Sequence, residues 1–204
     1  MIETLAISCF FIAGVLCGYY DLEPELVLRN DLSLPALWVF MGITGIMLGR
    51  DRRIGELFKS LKPALLLLPA ATTLGTFLGS AICSLFLAWN VYECLAIGAG
   101  FAYYSLSSIF ISRELGVEAG SVALLANVSR EILTIMLAGT ITRFFGPLAL
   151  ISCGGAASMD TVLGVVIRNG GRQCALPSLA HGVIMDFSVP FWIAIFCPLA
   201  LNFK

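Results

Sequence analysis

The sequence predicts an all-α, polytopic membrane helix bundle with about seven hydrophobic segments, one or two of them discontinuous or re-entrant. Three observations lead there. Of 204 residues, 59% are hydrophobic and only 12% are charged, and the mean hydropathy is +0.95, so a water-facing surface cannot cover most of the chain. Apolar runs recur from end to end, and clusters of small residues interrupt two of them. No linker is long enough to hold a soluble domain, so residues 1–204 are expected to form a single transmembrane domain.

The runs fall at about 2–20, 34–49, 63–89, 94–112, 119–142, 147–167 and 177–201. A spanning helix takes about 17 to 25 residues, so most qualify and 34–49 is slightly short. The first run lacks a basic leader and carries Glu3, which reads as a retained span rather than a cleaved signal peptide. The loop RDRRIGELFKSLK, residues 50–62, holds five basic residues and marks the cytoplasmic side, whereas loop 21–33 is acidic apart from Arg29. Seven spans in that frame put eight basic residues inside and three outside. The expected topology is N-in and C-out.

The same composition excludes several classes. A net charge of −1 with no basic block gives no footprint for nucleic acid. Seven cysteines stand singly inside or beside apolar runs, with no C-x-x-C pair and no Cys/His cluster, so they read as packing residues. No metal site and no cofactor is indicated.

The runs at 94–112 and 147–167 differ from ordinary spans. The first reads AIGAGFAYYSLSSIFIS around Gly98 and Gly100, and the second carries GGAASMDT, residues 154–161. Each glycine costs a helix about 1 kcal/mol relative to alanine. Non-helical backbone at membrane depth survives only where protein buries it or water reaches it. The tracts therefore mark either tight helix contacts or a discontinuous helix at a binding site.

Three acids lie inside apolar runs: Glu131, Asp160 and Asp186. Each costs roughly 2.5 to 3.5 kcal/mol to insert, so each should face the protein interior or a wet cavity. Asn127, Arg130, Glu131 and Thr134 form one polar stripe at helical spacing. Arg130 and Glu131 are adjacent and point about 100° apart, so they cannot pair well with each other. Asp160 is flanked by Ser158 and Thr161, which can bond a carboxylate or replace part of a cation's hydration shell; the bland alternative is a buried acid neutralised by Arg130. Asp186 lies five residues from His181, off one helix face, and the lone histidine reads as a structural hydrogen-bonding group. Tyr103, Tyr104, Ser105, Ser107 and Ser108 offer hydroxyls beside the first glycine tract, for a ligand or for a neighbouring backbone. Pro190 should disturb the last helix.

GFAYYSLSSIF (100–110), LLANVSREI (124–132) and GGAASMDT, in this order, resemble the lysine exporter LysO family, whose longer pattern they match over its later two-thirds. The resemblance implies an inner-membrane transporter that exports L-lysine and its toxic analogue thialysine and that needs intramembrane acids, which carry over to Glu131 and Asp160. It also implies a short companion membrane subunit or a second copy of the chain. The chain departs from the pattern at Ala102, Ala157, Val162 and Gly164, and Ala157 lacks a hydroxyl that the family usually carries.

Together the acids and the resemblance imply export of a cationic amino acid by proton antiport. The substrate and proton would meet Glu131, Asp160, Asn127, Arg130, Ser158, Thr161, Tyr104 and Ser105, with Asp186 and His181 as further candidates. Transport of another cation, or an accessory membrane subunit, would use the same polar residues. An enzyme is disfavoured, because Ser158 lacks a G-x-S-x-G setting and the one histidine lies on another segment.

Overall fold

A computed structural model describes residues 63 to 203 continuously, together with isolated positions between 16 and 50. By internal contacts the chain divides into Met1–Ile54 and Gly55–Lys204, and the account below concerns the second unit. The expected runs 2–20 and 34–49 and the orienting loops 21–33 and 50–62 lie outside the described residues apart from those isolated positions.

All regular structure among the described residues is helical: α1 Pro63–Ser84, α2 Val91–Gly98, α3 Tyr104–Leu115, α4 Val117–Met136, α5 Ala138–Phe145, α6 Pro147–Gly154, α7 Leu163–Gly170 and α8 Ala175–Asn202. Tight 3-10 turns cover Gly155–Met159 and Arg172–Cys174. Helix starts and stops follow local chemistry. Asn90 and Glu93 form a capping box that opens α2, with the Asn90 side chain accepting from the Tyr92 amide at 3.0 Å and Glu93 accepting from the Asn90 amide at 2.8 Å. Gly116, Gly146 and Gly171 separate helices with positive φ values, and Pro147 begins α6 where its missing N–H is not needed.

Among the described residues, three helices are long and apolar enough to cross a bilayer: Leu67–Ser84, Val117–Met136 and the continuous helical stretch Arg172–Asn202. Their outward faces suit lipid. Leu74, Leu78 and Ile82 on α1, Leu125 and Ile132 on α4, and Phe191 and Ile195 on α8 are all exposed. The core gathers Leu150, Ile151, Val162 and Val166 with Ala102, Ala138 and Ala157. Beside it, Phe77 packs edge-on against Trp192 and Phe196 at ring separations of 4.9 and 5.0 Å, which joins α1 to α8.

The long apolar runs are cut into shorter helices. The run at 94–112 breaks at residues 99–103, and the run at 147–167 breaks after Gly154. The run at 119–142 bends at Leu137, between α4 and α5. α8 continues through Pro190 and Pro198, so the expected disturbance at Pro190 leaves the helix assignment unbroken.

Candidate functional site

The two helix breaks meet. Phe101 and Ala102, neither of them glycine, adopt φ values of 44° and 69° in the first break, a conformation that side chains make costly unless the surroundings fix it. The Phe101 carbonyl accepts a hydrogen bond from the Ala156 amide in the second break at 2.8 Å. Gly155, at φ 58°, passes directly over that carbonyl, and a Cβ there would lie 2.9 Å from the Phe101 carbonyl carbon. Gly155, Ala156, Ala157 and Ser158 are all buried. The small-residue tract is thus both a break and a close packing contact.

Two polar residues of α4 hold the cut ends. A helix end leaves unpaired carbonyls carrying partial negative charge. At the end of α2, the Asn127 amide donates to the Ile97 carbonyl at 3.0 Å and to the Ala123 carbonyl at 2.9 Å, while its oxygen accepts from the Ala102 amide at 2.8 Å. At the end of α6, Arg130 Nε donates to the Cys153 carbonyl at 2.9 Å and Nη2 donates to the Ser152 carbonyl at 3.0 Å. Nη1 donates to Thr76 on α1 at 3.2 Å, and the guanidinium lies 5.9 Å from the centre of the Phe101 ring. Arg130 therefore answers main-chain dipoles, and among the described residues it pairs with no carboxylate, Asp160 included.

Beyond the buried tract the second break opens outward. Asp160 and Thr161 are exposed just before α7, and the Asp160 carboxylate accepts from the Thr161 amide at 2.5 Å and the Thr161 hydroxyl at 3.3 Å. Asp160 and Asp186 act on each other electrostatically, and both act on the Tyr103 hydroxyl of the first break. One acid from a break, one from α8 and one phenol from the other break are thus within electrostatic reach of one another.

His181 sits deeper, with 1% of its surface exposed. Its Nε2 meets the Thr72 hydroxyl of α1 at 2.9 Å, and its Nδ1 meets the Ser158 hydroxyl at 3.2 Å. Ser158 and Ser178 also bond each other's carbonyls reciprocally, at 3.1 and 2.6 Å. This network ties α1, the second break and α8 together, the structural hydrogen-bonding role expected for a lone histidine. Gly182 admits it, because a Cβ there would come within 2.7 Å of the Met159 amide nitrogen.

Glu131 is half-buried on the Asn127 and Thr134 side of α4 and makes no hydrogen bond or ion pair among the described residues. Tyr104 and Ser105 are exposed in the first turn of α3, whereas Tyr103 is half-buried and within electrostatic reach of the acids. Sequence reasoning did not single out Thr72 and Thr76. Their four-residue spacing in a leucine-rich helix was the available signal. An open cleft of about 660 Å³ runs between α1, α4, α5 and α6, with Thr72, Thr76, Ser129, Arg130, Thr134 and Ser152 in its wall. Among the described residues no group of His, Cys, Asp and Glu is arranged to hold a metal.

Comparison with known proteins follows this geometry. The family described as lysine exporter LysO matches residues 8–197. The lysine exporter LysO of Escherichia coli is 33% identical over 131 residues, 64% of this chain and 44% of the E. coli protein, so the matched part spans less than half of that relative. A Haemophilus influenzae protein named "Putative lysine exporter" is 28% identical over 185 residues, covering 91% of this chain and 93% of that protein. No solved structure matches. A match running through both breaks, α4 and α8 establishes that the chain belongs to the LysO family of membrane transport proteins.

Proposed function

We propose that the chain exports L-lysine, and related cationic amino acids such as thialysine, across the inner membrane in exchange for protons. The observation that carries this reading is the placement of Asp160 at the open side of a helix break, exposed and with its carboxylate bonded only to Thr161 among the described residues, in a chain of the lysine exporter family. Glu131, half-buried on α4, supplies a second acid. Lysine leaves with one net positive charge, and moving that charge out against 100 mV costs about 2.3 kcal/mol. Export therefore needs coupling. Carboxylates at Asp160 and Glu131 bind the substrate ammonium groups from the inside. Protonation from the outside neutralises the acids and displaces the substrate, so each returning proton offsets a departing charge. Asn127 and Arg130 keep the cut helix ends in position, and Ser158 holds the second break through His181.

The proposed orientation is N-in and C-out, with Arg113, Arg168 and Arg172 in the cytoplasm; reactivity of single cysteines placed there toward an impermeant thiol reagent tests it. A short companion membrane subunit, or a second copy, completes the transporter in this reading. Transport of a different cation is favoured by Ala157, which puts a methyl group where the family pattern carries a hydroxyl beside the Asp160 turn.

The test is growth rescue of a lysine-export-deficient host challenged with thialysine, by the chain alone and with a neighbouring small membrane protein. Proton-driven lysine efflux from vesicles accompanies it. Efflux that survives Glu131→Gln combined with Asp160→Asn rules the mechanism out.

A further inference from the structure

A guanidinium carries five N–H donors in a fixed fork and a charge that persists at every physiological pH. Arg130 uses three of them: Nε on the Cys153 carbonyl, one Nη2 hydrogen on the Ser152 carbonyl and one Nη1 hydrogen on the Thr76 hydroxyl. One N–H is left on each terminal nitrogen. All three acceptors are neutral. The end of α6 contributes roughly half a unit of negative charge, which leaves much of the Arg130 charge without a counter-charge among the described residues. Arg130 also forms part of the wall of the cleft between α1, α4, α5 and α6, beside the hydroxyls of Thr76, Ser129 and Ser152 and the apolar side chains of Leu133 and Ile141.

We propose that this cleft is a carboxylate subsite, in which the two remaining N–H groups of Arg130 hold the α-carboxylate of an amino-acid substrate. Two donors on one planar fork match the two oxygens of a carboxylate, and a charge-assisted pair of this kind is both strong and directional. Acidic residues recognise only the ammonium groups, so by themselves they accept a diamine as readily as lysine. Arg130 adds what those acids lack. It makes the protein select amino acids over amines of the same chain length. The inference rests on the reading of the substrate as an amino acid, but not on that amino acid being lysine.

The experiment measures binding to the purified full chain in lipid nanodiscs for three matched pairs: lysine and cadaverine, ornithine and putrescine, arginine and agmatine. In each pair the amine lacks only the carboxylate. The expected result is that at least one amino acid binds about tenfold or more tightly than its amine, since a site built to bond a polar group rejects an analogue without it. Every amine binding within tenfold of its amino acid, or no amino acid binding at all, overturns the proposal. A preference for arginine or ornithine with no binding of lysine keeps the subsite and refutes lysine as substrate, so the two failures stay distinct. Arg130→Lys should cut amino-acid affinity about tenfold and leave amine affinity within twofold. Because Arg130 also holds α6, Ala126→Phe, at another residue of the cleft wall on α4, serves as the second variant, narrowing the cleft without removing any Arg130 bond, with the same expectation. Amino-acid affinity unchanged in a correctly inserted variant overturns the assignment to Arg130.

Discussion

The Ala156 amide donates to the Phe101 carbonyl at 2.8 Å, so two breaks more than fifty positions apart in sequence are joined main chain to main chain. The contact depends on a glycine beside it. Gly155 combines a φ of 58° with a Cβ position blocked by Phe101. Gly155→Ala should lower stability by roughly 1 to 3 kcal/mol and abolish export, measured by thermal unfolding in detergent and by vesicle efflux. Wild-type unfolding and efflux in Gly155→Ala would mean that the crossing is not needed.

Asn127 makes three hydrogen bonds to main-chain groups, two of them at the first break. Asn127→Leu removes all three and strands the Ala102 amide, while the Ile97 carbonyl keeps its hydrogen bond from the Gly100 amide at 3.3 Å. At about 0.6 to 1 kcal/mol per bond, the expected loss is about 2 to 3 kcal/mol in the same unfolding measurement. Asn127→Asp keeps the acceptor for Ala102 but sets a charge against the Ile97 carbonyl, so it should rescue little.

The transport reading separates the acids by role. Asp160→Asn should abolish lysine efflux with the protein still inserted and folded. Asp186→Asn, which removes the neighbouring acid while leaving Asp160 in place, should reduce efflux by about tenfold or less and alter its dependence on external pH. Equal and complete loss in both variants would show that the two acids act as one inseparable unit.

His181 sits between two hydroxyls whose protons already have acceptors: Thr72 donates to the Leu68 carbonyl at 2.9 Å and Ser158 to the Ser178 carbonyl at 3.1 Å. A neutral imidazole offers one N–H, so it satisfies one hydroxyl and requires the other to turn its proton toward the ring. His181→Leu leaves both hydroxyls facing an apolar side chain and should cost about 1 to 3 kcal/mol. His181→Gln, which retains one donor group and one acceptor, should cost less. The order of their unfolding temperatures checks this.

The helix breaks were legible only as one of two readings of the small-residue tracts, close contact or discontinuity, because a glycine pair alone does not break a helix: Gly75 and Gly79 lie inside the unbroken α1. The intramembrane acids were legible through their insertion cost. What these groups touch was not. Arg130 and Asn127 answer main-chain groups, which carry no signature in the residue string, so a search for a charged partner looks in the wrong place. The contact of His181 with Thr72, and the electrostatic coupling of Asp160 to Asp186, join residues that local spacing does not relate. The hydroxyls beside the first tract were legible as a group, but only the break geometry leaves Tyr104 exposed and Tyr103 half-buried.

Asn127 and Arg130 are three residues apart on one helix, and each holds a different broken helix. α4 is thereby a ruler. Three steps of about 1.5 Å fix the spacing of the two hooks along its axis, and the helical turn fixes the angle between them. One inserted residue between them would lengthen that gap by about 1.5 Å and swing the second hook by about 100°. The distance between two cut helix ends in the membrane is thus written into the chain as a count of residues on a third helix, and length at that point matters as much as identity.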